Sequence, residues 1–205
     1  MDWANLKRYR TDNENIGLPV NGEKRVVFMG NSITEGWSRL NPEFFAGKPY
    51  INRGISGQTT PQMLIRFRQD VVNLKPAIVL INAGVNDIAG NTGLSTLEMI
   101  EDNIASMCEI AKANGITVIL ASVIPAYDFP WRPGLQPAEK IVALNNWIKE
   151  YAKLKGFIYL DYFTNMADER NGLKTELTTD GVHPNLEGYN VMGPLAEQAI
   201  KLALK

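Results

Sequence analysis

Five residues, each just beyond an apolar run or in a final turn-rich loop, carry the chemistry this sequence can offer: Ser32, Gly54, Asn86, Asp180 and His183. Ser32 follows Val26-Val27-Phe28-Met29, which have β propensity, and precedes a stretch whose pattern can be helical. That order predicts strand, tight turn, helix. A serine there projects at the carboxyl edge of a sheet, where open α/β folds place their ligands, and the first amides of the helix point at whatever the hydroxyl meets. To act as a nucleophile it needs a base. His183 is the only histidine, and Asp180 lies three residues before it in a loop bounded by Gly181 and Pro184. Such a loop can turn the carboxylate back to Nδ1 and leave Nε2 for the serine. Two plainer readings stand beside this one: Ser32 as a helix N-cap, and Asp180-Gly181 as a turn with His183 capping a helix.

Acyl transfer also needs donors where negative charge develops on oxygen. The candidates are the backbone N–H of Ser32, the backbone N–H of Gly54 and the side-chain amide of Asn86; losing one such donor typically costs about 3 kcal/mol of transition-state stabilisation. Gly54 alone reads equally as a turn, and Asn86 equally as a group satisfying loop backbone. Asn31, Trp37, Tyr127, Phe129 and Trp131 are candidate substrate contacts, with Asp128 or Arg132 as polar additions, although Trp37 lies on a helical stripe that favours the core. Cys108 falls on the inner face of a helix and reads as core rather than nucleophile.

The elements that must position these groups follow from periodicity. Residues 2–24 form a polar N-terminal arm, with Trp3, Leu6 and Tyr9 on one face of a short helix. Strands are expected at 25–29, 50–52, 77–82, 116–121 and 157–160. Between them, Trp37, Leu40 and Phe44 give one helix its buried stripe, and a second amphipathic helix covers 60–74. A capping box of Ser95 and Glu98 starts a third, Pro137 opens a fourth, and a last helix runs from Leu186. Residues 122–136 are a long proline-stiffened loop with three aromatics, a length often associated with function. Strands alternating with helices imply an α/β fold with a parallel sheet covered on both faces. At 205 residues the chain fits a single domain, 1–205, with 1–24 as its arm.

Composition narrows the function classes. The 21 Lys and Arg against 22 Asp and Glu give a net charge of -1, which offers no electrostatic footprint for nucleic acid or an anionic membrane surface. One cysteine and one histidine exclude intrachain disulfides and a Cys/His metal cluster. No apolar run approaches eighteen residues, so integral membrane association is not expected. Met1-Asp2-Trp3 lacks the features of a signal peptide, which leaves the compartment open, periplasmic or secreted included if a leader was removed before residue 1. Oligomeric state is not readable. No G-x-G-x-x-G follows the first strand and no P-loop motif occurs.

The separated pieces together resemble the SGNH hydrolase family, also called the GDSL lipase or esterase superfamily, whose four blocks contribute Ser, Gly, Asn and His. The first block is similar to Gly30-Asn31-Ser32-Ile33-Thr34, and the second is matched by Gly54 within Asn52-Arg53-Gly54-Ile55-Ser56-Gly57. The third is Gly84-Val85-Asn86-Asp87 and the last Asp180-Gly181-Val182-His183. The resemblance implies a flavodoxin-like three-layer α/β/α sandwich with a five-stranded parallel sheet. It also implies Ser32 as nucleophile, His183 as general base and then acid, Asp180 as its orienting partner, and Ser32, Gly54 and Asn86 as oxyanion hole, with no metal or organic cofactor. Where the family usually has Gly-Asp-Ser, this chain has Asn31, which keeps size and an acceptor oxygen but not the charge; the expectation is a working enzyme whose turn is held by different hydrogen bonds. The substrate expected is a small-molecule or carbohydrate ester with a short acyl group, an O-acetyl sugar or related alcohol. The alternatives are a lysophospholipase or thioesterase using the same site, and a carbohydrate-binding or interaction protein whose site is vestigial.

Overall fold

The computed structural model describes residues 1–205. Five parallel strands form one sheet in the order β2-β1-β3-β4-β5: β1 Val26–Gly30, β2 Tyr50–Gly54, β3 Ile78–Asn82, β4 Thr117–Ala121 and β5 Ile158–Leu160. β1 and β3 are buried at every position, as continuous apolar runs must be when helices cover both faces. The chain leaves β1 towards β2 and later returns to β1's other side with β3, so the strand order reverses between β1 and β3. Open α/β sheets place ligands at such a point, beyond the carboxyl ends of the strands.

Helices α2 (Ser32–Leu40) and α8 (Leu186–Ala203) pack together on one face, while α3 (Thr60–Asp70), α5 (Leu97–Ala113) and α6 (Ala138–Lys155) lie side by side on the other. The result is the three-layer α/β/α arrangement expected. α1 (Arg10–Ile16) belongs to the arm, α4 (Val85–Ile88) follows β3, and α7 (Phe163–Met166) follows β5.

Several local expectations are corrected. Trp3, Leu6 and Tyr9 do not share a helix: they lie in turns before α1, and only Tyr9 of the three is buried. Leu40 is exposed, and Phe44 reaches the core from a separate 3-10 turn, Pro42–Phe44. The 60–74 helix ends at Asp70 and a 3-10 turn, Val72–Leu74, completes the segment. Thr96, not Ser95, caps α5, its Oγ1 accepting the Met99 N–H at 3.3 Å. Pro137 is the N-cap of α6 rather than its first residue. Cys108 is fully buried in the core, and desolvation pushes its thiol up to about 12.

Candidate active site

Ser32 is the first residue of α2, delivered by β1 through a one-residue turn. Asn31 makes that turn: its Oδ1 accepts the Ile33 N–H at 3.0 Å, and its carbonyl accepts the Glu35 N–H at 2.9 Å. It is fully buried, with Nδ2 bonded to nothing. Asn31 is therefore a helix cap beneath the serine and not a substrate contact.

The serine's neighbour comes from the far end of the chain. Ser32 Oγ and His183 Nε2 are 3.0 Å apart. On the other side of the ring, Nδ1 stands 2.6 Å from Asp180 Oδ2, while Asp180 Oδ1 accepts the backbone N–H of Val182 at 2.9 Å and of His183 at 2.7 Å. Thr178 closes the loop by donating from Oγ1 to the His183 carbonyl at 2.7 Å and accepting the Gly181 N–H at 3.0 Å. Partial burial pushes the Asp180 carboxyl up, yet the bonds from His183 and Val182 outweigh it and hold the group below its ordinary value. The carboxylate thus stays ionised at neutral pH. Such a carboxylate favours the tautomer with a proton on Nδ1, in which Nε2 can accept one from Ser32.

The expected donors divide. Asn86 is buried in α4, and one Nδ2 hydrogen goes to the Gln58 carbonyl at 2.9 Å. Gly54 does not offer a free amide: its N–H donates to Asn52 Oδ1 at 2.9 Å. Its missing side chain serves packing, since a Cβ there would lie 2.1 Å from the backbone nitrogen of Glu35 in α2. Gly54 faces Gly30 in the β1–β2 register, where α2 crosses the sheet. Three residues on, Gly57 has φ +76, its carbonyl is held by Asn91 Nδ2 at 3.2 Å, and its N–H bonds to nothing in the protein. Periodicity could not separate the two glycines; strand register does.

Asp87, beside Asn86, has a role the sequence did not disclose. Both carboxylate oxygens accept the Thr60 N–H at 3.0 Å, and Oδ1 also takes the Thr60 hydroxyl at 2.6 Å, tying α4 to the start of α3. Burial pushes its carboxyl up to about 6 despite those donors.

The aromatic candidates also separate. Trp37 is 2% exposed and stacks between Phe44 and Tyr189, and Phe129 is fully buried; neither can meet a substrate. Trp131 is exposed, stacked on Phe129 at 5.1 Å, with its ring centroid 6.0 Å from that of His183. Tyr127 lies under Arg170 on a smaller cavity of about 370 Å³ that also meets Asp180. Asp128 and Arg132 fold the loop itself: Asp128 accepts the Phe129 and Gly134 N–H groups, and Arg132 donates to the Ala89 carbonyl at 2.9 Å.

A cavity of about 870 Å³ opens beside Ser32 and His183. Glu35 and Arg39 of α2 line it, and so do Arg8, Tyr9 and Asp12 of the arm, to which the sequence reading assigned no part in the site. No group of three or more His, Cys, Asp or Glu side chains is placed to hold a metal ion, and no helix is long and apolar enough to cross a membrane.

Known proteins resemble the chain in both sequence and fold. A GDSL-like lipase from Bacteroides thetaiotaomicron superposes with a TM-score of 0.95 at 53% identity, covering 98% of each chain. Esterase TesA of Pseudomonas aeruginosa is 27% identical over 82% of this chain and 80% of its own. An acetylxylan esterase of Xylanibacter ruminicola is 25% identical over 92% of this chain and 45% of its own. The model of the GDSL-like Lipase/Acylhydrolase family matches residues 28–191, from β1 into α8, and the chain belongs to that family of ester hydrolases.

Proposed function

We propose that the protein hydrolyses short-chain esters of polar alcohols, an O-acetyl group on a carbohydrate foremost, through an acyl-enzyme on Ser32. His183 Nε2 takes the Ser32 proton as Oγ attacks the ester carbonyl, and the tetrahedral intermediate collapses as His183 returns that proton to the departing alcohol. Water then enters, His183 takes its proton as the oxygen attacks the acyl-enzyme, and collapse of the second tetrahedral intermediate returns that proton to Ser32 Oγ and releases the carboxylic acid. Asp180 orients the imidazole and stabilises its cation. The Ser32 N–H, the second Nδ2 hydrogen of Asn86 and the Gly57 N–H are the oxyanion donors; Gly57 replaces Gly54 because its amide is uncommitted. No cofactor enters these steps.

The observation that carries the substrate class is the lining of the large cavity. Arg8, Arg39, Arg53, Asp12 and Glu35 all border it, and an alkyl chain laid among them would strip water from charged groups without return. A polyol exchanges hydrogen bonds with water for hydrogen bonds with those same groups. The likeness to an acetylxylan esterase supports the same class. The test is a panel of p-nitrophenyl esters and acetylated xylo-oligosaccharides run on the wild type and Ser32→Ala. The expected result is at least tenfold higher kcat/KM for acetyl than for octanoyl esters, abolished by Ser32→Ala. A preference for octanoyl esters or lysophospholipid would replace this reading with a lysophospholipase or thioesterase, and no Ser32-dependent turnover would leave a binding protein.

A further inference from the structure

The arm is bound to the body of the protein by an unusual route. Its helix α1 buries no side chain, and Ala4 and Tyr9 are its only buried residues. Hydrogen bonds hold it instead: some run to Arg25, Arg53, Gln62, Gln69 and Asp70, and a separate set reaches the segment 54–58, between β2 and α3. The Tyr9 hydroxyl donates to the Gly54 carbonyl at the root of that segment. Arg8 pairs with Glu35 at 3.2 Å, and the other carboxylate oxygen of Glu35 accepts the Ser56 N–H at 2.9 Å. The Ala4 carbonyl accepts from Gln58 Nε2 at 2.7 Å.

Gln58 is a junction. Its Oε1 accepts from Arg66 Nε at 2.5 Å, and its backbone carbonyl accepts from Asn86 Nδ2 at 2.9 Å. Arg66, fully buried, reaches on to the Gly30 carbonyl at 3.0 Å, one residue before the turn that delivers Ser32. The arm therefore grips residues 54 and 58 directly and 56 through Glu35, and Gly57 lies between the last two of these, its own φ in the left-handed region.

We propose that the N-terminal arm positions the oxyanion-binding loop: Arg8, Tyr9 and Ala4 hold residues 54–58 so that the Gly57 N–H and the Asn86 amide face the same point beside Ser32. The inference rests on the reading of that loop as the oxyanion hole of an esterase. None of the arm residues touches the reacting atoms; they act through the loop. Because oxyanion donors work only when aimed at the charge of the transition state, loosening the loop lowers kcat and leaves ground-state binding of a small ester nearly unchanged.

The test uses p-nitrophenyl acetate, with kcat expressed per serine titrated by a fluorophosphonate so that any unfolded fraction drops out. Arg8→Ala, Tyr9→Phe and the double variant are compared with Arg8→Lys. The expected result is a loss of at least tenfold in kcat for the double variant with KM within twofold of the wild type, and recovery of most of the Arg8→Ala loss in Arg8→Lys. Arg8 is half exposed and its replacement does not threaten folding; because it also borders the cavity, the loop is read from kcat on p-nitrophenyl acetate, which has no polyol to bond it, and from Tyr9→Phe, which keeps the ring and removes only the bond to Gly54. An active wild type with kcat per titrated serine unchanged in every arm variant overturns the positioning role while leaving the esterase reading intact. A wild type that turns over no ester overturns both.

Discussion

The Asp180 carboxylate holds His183 twice, by its backbone N–H at 2.7 Å and by Nδ1 at 2.6 Å. Asp180→Asn keeps an oxygen for the backbone donors and so places its NH₂ group at the ring, where it donates to Nδ1 and favours the tautomer with the proton on Nε2, which cannot take one from Ser32. The expected outcome is a fall in kcat of about a hundredfold to a thousandfold, below the roughly ten-thousandfold seen for fully buried triads because this pair is over a third exposed. Steady-state kinetics on p-nitrophenyl acetate decide it; a loss under tenfold would show that the pair only shapes the loop.

Asn31 supplies the cap of α2 with one oxygen and leaves its Nδ2 buried and unbonded. Asn31→Asp keeps the capping oxygen, removes the orphaned donor, and adds a charge that the N-terminal end of α2 favours. These effects act on the turn rather than on the proton transfer. The expected kcat/KM lies within tenfold of the wild type, and a gain above about a hundredfold, roughly 3 kcal/mol, would show that the native asparagine impairs the site.

Asp87 gives a pH signature in stability. Its carboxyl titrates near 6 in the folded protein and at an ordinary 3.8 when exposed, because burial disfavours the charged form. The folded state therefore holds this proton more tightly than the unfolded state. The stabilisation is complete below about pH 3.8 and is lost as pH rises through about 6, by roughly 3 kcal/mol. Urea unfolding of the wild type and Asp87→Asn between pH 4 and 7 isolates it from other carboxylates. The wild type should lose ground against the variant as pH rises; a gap that stays constant across that window contradicts the assignment.

Two glycine substitutions separate packing from backbone conformation. A Cβ at Gly54 meets the Glu35 nitrogen at 2.1 Å, whereas one at Gly57 meets nothing within 4 Å and only has to tolerate a positive φ. Gly54→Ala should cost about 2–3 kcal/mol through overpacking, and Gly57→Ala about 1–2 kcal/mol through the left-handed conformation. Thermal unfolding ranks them, and the reverse order would remove the packing role given to Gly54.

Sheet strands and long helices were legible because their burial is written in composition: 78–81 is apolar throughout since helices cover both sides of β3. The pairing of Ser32 with His183 was legible because the chain has a single imidazole. What escaped was tertiary. Phe129 looks like an entrance aromatic until Trp131 is found stacked against it, whereas Trp37, whose helical stripe favoured the core, lies there between Phe44 and Tyr189. Nothing local distinguishes Gly54 from Gly57; the first is fixed by the helix crossing it. The arm's part in the site depends on hydrogen bonds from Tyr9, Arg8 and Ala4 to residues more than twenty-five positions away, which no periodicity encodes.

Ser32 and His183 are separated by 151 positions and joined at 3.0 Å, and the Tyr189 hydroxyl of α8 bonds the Ile33 carbonyl beside the serine at 2.7 Å. During synthesis, the serine leaves the ribosome long before its base exists. On the proposed mechanism a partly made chain carries an inert alcohol on its first crossover until the loop that bears His183 reaches it. Turnover on that mechanism is in this sense a readout of docking between distant parts of the chain: a molecule in which the segment from His183 to Tyr189 has come loose has no base beside Ser32.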